Sequence, residues 1–320
     1  SEPAAGATAL EERRRGIDRI NRTIVALLAE RVRLDGEIGD LQREHAAADA
    51  AYQGAPGAFS EEAALVLLGA GARLEPCETL DDALDAAVCG RARSAVVPIE
   101  NTLAGSVPGC ADALVRRDVH IAGECVRSIR HALIAPPGSA LAGIRRVLSH
   151  PVAIAQCARF FQARPDVRAV PVFDTAGAVA RVVQDGRPDE AAIAGLRAAS
   201  LYGGVVLAED VQDRADNATR FLLVRPGLPP GGWDPAFKTT IVCVLGNEPG
   251  ALVRALVPFS SRGLNLCRIE SHPTRETPFE YAFHLDVAPA GDAALLGEAI
   301  DDLRRVSRTV RVLGHYPPPA

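Results

Sequence analysis

The sequence predicts an α/β protein in three parts: a long N-terminal helix, a body of alternating strands and helices, and a C-terminal unit of ferredoxin-like β-α-β-β-α-β order. Three observations carry this. Residues 8–46 hold apolar side chains at three- and four-residue steps. From Tyr52 to Val224, short apolar runs alternate with helical patterns. A Pro- and Gly-rich segment, PGLPPGGWDP over 226–235, then separates residues 236–320 from the body.

In the first part, Ile17, Ile20, Ile24, Leu27, Leu28, Leu34, Ile38 and Leu41 form one stripe with charges between them. Such a helix far exceeds the average of roughly 11–12 residues. It must bury its stripe on another surface, by default a partner chain. HAAADAA (45–51) is the joint to the body, which sets the divisions at 1–48, 49–226 and 236–320.

In the body, SAVVPIE (94–100), RVLSH (146–150), AVPVF (169–173), EAAIAG (190–195) and GVVLAED (204–210) have strand character. EEAALVLLG (61–69), LDDALDAAV (80–88), PVAIAQCARFF (151–161) and AGAVARVV (176–183) have helical period. The alternation predicts a mostly parallel sheet or a pair of them. At DNATRFLLV (216–224) a polar loop enters an apolar run, with Thr219 and Arg220 side by side at the boundary. Strand ends of open α/β sheets commonly face a ligand crevice. A hydroxyl donor beside a cation suits an anionic substrate with a leaving oxygen.

The last part reads as strand TTIVCVLG (239–246), a helix over 249–262, strands LNLCRIESH (264–272) and FEYAFHLDV (279–287), a helix over 292–305 and strand TVRVLGHY (309–316). Pro249 suits the first helical turn, Gly263 a helix stop and Asp292 an N-cap.

Composition narrows the function classes. The 320 residues suffice for two or three domains, and 48% apolar with 4% aromatic content means cores of Ala, Val and Leu. A net charge of −5, with no Lys/Arg block standing alone, argues against a nucleic-acid surface. No basic start precedes an apolar run and no apolar stretch approaches membrane-spanning length. The seven cysteines, Cys77, Cys89, Cys110, Cys125, Cys157, Cys243 and Cys267, include no C-x-x-C pair, which argues against a disulfide framework and a zinc site, so a reduced, cytoplasmic protein is expected. For the absence of methionine we have no physical account.

VVPIENTLAGSV (96–107), LSHPVAIAQC (148–157) and NATRFLLV (217–224) resemble, in order and spacing, the signature segments of prephenate dehydratases. AYQGAPGAFSEEAA (51–64) resembles that family's first strand and glycine turn, and residues 250–287 resemble its regulatory ACT domain. The resemblance implies two lobes like a type II periplasmic binding protein, closing on prephenate, then an ACT domain that binds L-phenylalanine as allosteric effector. It implies loss of water and carbon dioxide to give phenylpyruvate, driven by the new aromatic ring, with no metal or organic cofactor. The chain is expected to form a homodimer or homotetramer.

By the same resemblance Thr219 stands at the departing hydroxyl, with Glu100, Asn101, Ser149 and Gln156 completing the catalytic set. Arg220, Phe221, Ser106 and Thr175 would bind substrate, Arg220 either as a carboxylate fork or, alternatively, as a salt bridge tying the loop. Ser149 could be a simple N-cap, and His150 closes its loop by a hydrogen bond rather than acting as an acid. Gly250, Ala251, Leu252, Asn265, Leu266, Glu270 and Ser271 match the phenylalanine-binding pattern. The chain departs from the family at Ala58, Thr102, Asp174 and Gly195, and His272 replaces the arginine of the usual ESRP.

Residues 10–42 resemble the first helix of helical chorismate mutases, with Arg14 and Arg31 at its substrate arginines. The essential lysine is Gln42 here and the later helices are absent, so a vestigial, dimer-forming helix is expected. A bifunctional mutase/dehydratase, or a non-catalytic amino-acid sensor, are the alternatives.

Overall fold

The computed structural model describes residues 27, 30, 31, 33, 48–274 and 280–319. The chain divides into two compact units, Ser1–Ala46 and Ala47–Ala320. In the first, Leu27, Glu30, Arg31 and Arg33 are helical and exposed, with Arg33 bonded to Glu30 at 2.5 Å. The rest of the long helix expected there, Arg14 included, lies outside the described residues.

The second unit opens with β1 (Ala50–Gln53), a glycine turn, and α1 (Phe59–Leu68). Gly57 in that turn has φ +89°, and a Cβ there would stand 2.9 Å from the Ala198 backbone. Only glycine suits both conditions. β2 (Leu74–Cys77) leads to α2 (Leu80–Val88), whose start is fixed by a capping box between Thr79 and Asp82. β3 (Ala95–Asn101), the short β4 (Gly105–Ser106), α3 (Cys110–Val115) and β5 (Val119–Ser128) complete the first lobe.

The chain then crosses to a second lobe. There β6 (Ala132–Ala135), β7 (Arg146–Ser149), α4 (Pro151–Ala155), α5 (Ala158–Gln162), β8 (Arg168–Pro171), α6 (Thr175–Asp185), β9 (Glu190–Ala194), α7 (Leu196–Tyr202) and β10 (Val205–Ala208) build a five-stranded sheet of order β10-β6-β9-β7-β8. It crosses back through β11 (Ala218–Pro226), which lies antiparallel to both β3 and β5. The helix expected over 151–161 is two short ones. Asp213 accepts the Ala158 and Arg159 amides at 3.0 and 2.9 Å, starting the second helix afresh.

The C-terminal part runs β12 (Lys238–Val244), α8 (Ala251–Ser260), β13 (Leu266–Pro273), β14 (Tyr281–Val287), α9 (Ala293–Val306) and β15 (Thr309–Tyr316). Its strand order β13-β14-β12-β15 is the split βαβ arrangement that the sequence predicts. Both helices pack on one face, with Phe259, Leu296, Ile300 and Leu303 against Ile241, Leu285 and Val287. Asp292 caps α9 by accepting the Ala294 amide, whereas Pro249 precedes the α8 cap, Gly250, and lies outside the helix.

The C-terminal sheet and the first-lobe sheet are continuous. β15 meets β5 in parallel at Gly314 and Ile121, giving one sheet of ten strands; the body's two sheets mix parallel and antiparallel neighbours instead of being mostly parallel. A Cβ at Gly314 would meet the Ile121 carbonyl oxygen at 2.5 Å, so this joint requires glycine. β5 itself escaped the sequence reading, because His120 and Glu124 interrupt its apolar pattern at buried positions. Among the described residues no helix is long and apolar enough to cross a membrane.

Candidate active site

The two lobes enclose a cavity of about 630 Å³. The first lobe contributes Gln53, Phe59, Asn101, Ser106, Thr219 and Phe221; the second contributes His131, His150, Gln156, Phe173, Asp174 and Thr175. None of the described lining residues is Lys or Arg. The hydroxyl expected at the entrance of β11 does reach this wall.

Asn101 and Thr219 are cross-strand neighbours on β3 and β11. The Asn101 side-chain oxygen accepts the backbone amides of Leu103 and Ala104 at 2.9 and 2.8 Å. Those two donors fix which end of the amide is oxygen. Its nitrogen must therefore face the other way, where it donates to Thr219 Oγ1 at 2.9 Å and to Asn217 Oδ1 at 2.8 Å. Thr219 thus receives a hydrogen bond from Asn101 and keeps its own O–H to give.

The polar chain continues into the second lobe. Asn217 Nδ2 donates to Gln156 Oε1 at 3.0 Å, and His131 Nε2 meets the same oxygen at 3.0 Å. Because that oxygen is an acceptor, His131 carries its proton on Nε2. Burial depresses the His131 pKa, partly offset by the bond to Gln156, and burial likewise depresses that of His150 against the pull of Asp174. Both rings are neutral at pH 7. The cavity wall is therefore a set of neutral donors and acceptors with one carboxylate, Asp174, whose Oδ1 caps α6 through the Gly177 amide at 2.5 Å.

Thr219, Asn101, Gln156, Ser106, Thr175 and Phe221 all line the cavity. Three other expected residues do not. Ser149 is fully buried and donates to the Ile193 carbonyl at 2.6 Å, tying β7 to β9. The N-cap of α4 is His150, whose Nδ1 accepts the Val152 amide at 3.2 Å. Glu100 and Arg220 project from the opposite face of their strands, because neighbouring strand residues point to opposite sides.

The alternative reading of Arg220, a salt bridge, is the one realised. Its Nη2 donates to Asp286 Oδ2 at 2.7 Å, and it lies 3.2 Å from Glu100 and 3.5 Å from Glu124. Lys238 reaches Glu124 at 3.1 Å, and Arg268 reaches Glu100 at 3.2 Å while also pairing with Glu270. Burial works to raise the Asp286 carboxyl, but Arg220 and Lys238 beside it hold it below the ordinary carboxylate range. His131, Asn217 and Phe173 join the cavity or its polar chain without having been singled out from the sequence. Asn217 opens the quoted motif NATRFLLV; the other two carried no local signal.

In the C-terminal part, Ala251 and Leu252 border a cavity of about 170 Å³ with Leu245, Glu248, Tyr281 and Phe283. Gly250 caps the adjacent helix. Leu266, Glu270 and Ser271 lie on β13, the last strand of the sheet, and Asn265 just precedes it, so these residues do not join that cavity within one chain.

Fold and cleft define a two-lobed α/β protein whose cavity, lined by neutral hydrogen-bonding groups and the Asp174 carboxylate, is sized for a small molecule, with a split-βαβ unit continuing its sheet. The prephenate dehydratase family profile matches residues 50–227. Arogenate dehydratase/prephenate dehydratase 2 of Arabidopsis thaliana is 40% identical over 278 residues, covering 83% of this chain and 72% of the relative. Prephenate dehydratase of Arthrobacter aurescens, solved in complex with L-Phe, has TM-score 0.75 and 37% identity over 83% of this chain and 90% of its own. A structure described as GqqA, a quorum quenching acylase, has TM-score 0.76 and 36% identity over 84% and 97%. The chain belongs to the prephenate dehydratase family.

Proposed function

We propose that the cleft converts prephenate to phenylpyruvate with Thr219 as the donor to the departing hydroxyl, and that the C-terminal unit is an ACT domain through which L-phenylalanine inhibits. The ring carboxylate leaves as carbon dioxide. Its C–C bonding pair enters the ring and expels the hydroxyl from the far carbon as hydroxide, which is hydrogen-bonded by Thr219 as it leaves and takes a proton from solvent to become water. Aromatisation supplies the driving force, so the protein's task is to orient the ring and to ease the oxygen out.

The observation that carries this reading is the Asn101–Thr219 bond, whose direction is fixed by two backbone amides. A threonine that already accepts a bond offers its proton toward the cavity, and a preset donor at a developing negative oxygen is a strong catalytic device. The lack of lining cations among the described residues suits the other half of the reaction. An arginine on the departing carboxylate would stabilise the ground state, whose charge is lost on the way to carbon dioxide.

For regulation, Gly250, Ala251 and Leu252 on one unit and Asn265, Leu266, Glu270 and Ser271 on another would form each effector site, with β13 as the meeting edge of two chains. L-Phenylalanine must bind the less active state more tightly to inhibit. The N-terminal helix, with Arg14 and Arg31, serves assembly in this reading rather than chorismate turnover.

The test is an ultraviolet assay for phenylpyruvate from prephenate, run with and without L-phenylalanine, with chorismate as a second substrate. Phenylpyruvate formation that L-phenylalanine suppresses is expected. No phenylpyruvate would remove the dehydratase assignment, undiminished rate at saturating L-phenylalanine would remove the regulatory one, and rapid chorismate rearrangement would make the N-terminal helix a working site.

A further inference from the structure

The reactive strand is anchored from outside the catalytic lobes. Thr219 and Arg220 share a peptide, one side chain facing the cavity and the other facing β14. The β3–β11 ladder is irregular at this point: Arg220 pairs with Glu100 but Phe221 pairs with Pro98, leaving an extra residue in β3. A bulge leaves the ladder locally broken and the bulged strand bent. The β3 edge therefore fixes the Thr219–Arg220 backbone less firmly than a regular ladder would, while the β5 edge pairs without irregularity from Ala218 to Leu223.

The guanidinium adds a side-chain anchor to these main-chain ladders. Of its three acidic neighbours only Asp286 takes a hydrogen bond, at 2.7 Å, while Glu100 and Glu124 stand at ion-pair distances of 3.2 and 3.5 Å. Asp286 is fully buried and is itself held, its Oδ1 accepting from Thr240 Oγ1 at 2.8 Å. Thr240 in turn meets the Tyr316 hydroxyl at 2.7 Å. A rigid path thus runs from β15 and β12 through Asp286 and Arg220 to the peptide that carries Thr219.

We propose that Asp286, in the C-terminal unit, is a positioning residue for the dehydration, setting Thr219 through Arg220. This rests on the reading of Thr219 as the leaving-group donor. The C-terminal unit then forms the back wall of the catalytic strand as well as hosting an effector. Asp286 touches no substrate, so its removal misplaces the hydroxyl without altering the cavity wall.

Asp286→Asn keeps the shape and loses the charge. Its kcat for prephenate should fall by about 10–100-fold with KM changed by less than about threefold, since small misplacements of a reacting group cost that much. Arg220→Lys should fall similarly, and the double variant no further than the worse single, because both cut one path. A purely structural role would lower the yield of folded protein and leave kcat per folded site unchanged. Thr240→Val, which keeps every charge paired, provides the variant to use if the first does not fold; a fall of roughly threefold or more in kcat alone is expected. Phenylpyruvate production by the parent tests the underlying assignment separately. If the parent is active and Asp286→Asn, or failing it Thr240→Val, retains kcat within about twofold, far below the misplacement cost above, the positioning role is wrong.

Discussion

The two faces of the β3–β11 pair obey opposite rules. The front presents Asn101 and Thr219 to the cavity, neutral groups in a directed chain of hydrogen bonds. The back presents Glu100 and Arg220 to a cluster with Glu124, Lys238, Arg268 and Asp286. One residue of offset along each strand separates them. On the front, a fixed charge would hold a carboxylate that has to leave. On the back, charges cannot reach the substrate and instead act as anchors. Such pairs add little net stability when buried, yet breaking one leaves an unpaired charge and costs several kcal/mol. They therefore make a poor source of stability and a good source of fixed geometry.

The largest expected effect breaks the front. Thr219→Val keeps the volume and removes the hydroxyl; kcat should fall by about 10²–10³-fold, the usual consequence of losing one preset donor. Thr219→Ser should keep most of the activity. Phenylpyruvate formation by both variants checks this, and an active Thr219→Val protein would mean that another group assists the leaving oxygen.

The front was easier to read from the sequence than the back. Thr219, Asn101 and Gln156 sit in short local motifs at strand and helix ends, where side chains are placed by the segments that carry them. Arg220 carried the same local signal, but its partner Asp286 is 66 positions away, and no local pattern shows which face of the strand it takes. The strand holding Glu124 was missed for the same reason: a buried acid looks like a strand breaker until Lys238, 114 positions later, is seen beside it. The helix over 151–161 was drawn too long because the amides that start its second half are capped by the distant Asp213. By contrast the β-α-β-β-α-β order was legible throughout, since each of its elements follows from its own periodicity and punctuation. The local motifs thus brought Thr219, Asn101 and Gln156 to the cavity but misplaced Glu100 and Ser149, whose positions depend on contacts across long sequence separations.

A second prediction concerns acid. His284 lies on the back, buried on β14 beside His272, Arg268 and Asp286. Burial, reinforced by His272 and Arg268, pulls its pKa down to about 4 from the ordinary 6.5, with Asp286 opposing. The unfolded chain therefore binds this proton first as pH falls. Stability from His284 is intact above pH 6.5 and is lost progressively down to about pH 4, by on the order of 3 kcal/mol at most. Urea midpoints measured across that range should fall in the parent and fall less in His284→Gln. A parent whose midpoint is flat from pH 7 to 4 would show that the back face tolerates another cation.

The smallest effect asks whether the two faces communicate. Arg268 lies on β13 between Leu266 and Glu270, and its guanidinium touches both Glu270 and Glu100. Glu100 in turn holds Arg220. If L-phenylalanine binds at β13, Arg268 is where its presence would be felt by the back cluster. Arg268→Gln should raise the half-inhibiting concentration of L-phenylalanine by roughly fivefold, near the low end of ordinary coupling strengths. Its kcat without effector should change less than that of Asp286→Asn, because the bond from Arg220 to Asp286 survives. Thermodynamic reciprocity sharpens the result: phenylpyruvate should weaken L-phenylalanine binding by the same factor that L-phenylalanine weakens phenylpyruvate binding, and both factors should shrink together in the variant. Inhibition that persists unchanged in Arg268→Gln would mean that the effector acts through chain-to-chain rearrangement alone, leaving the back cluster as a static anchor.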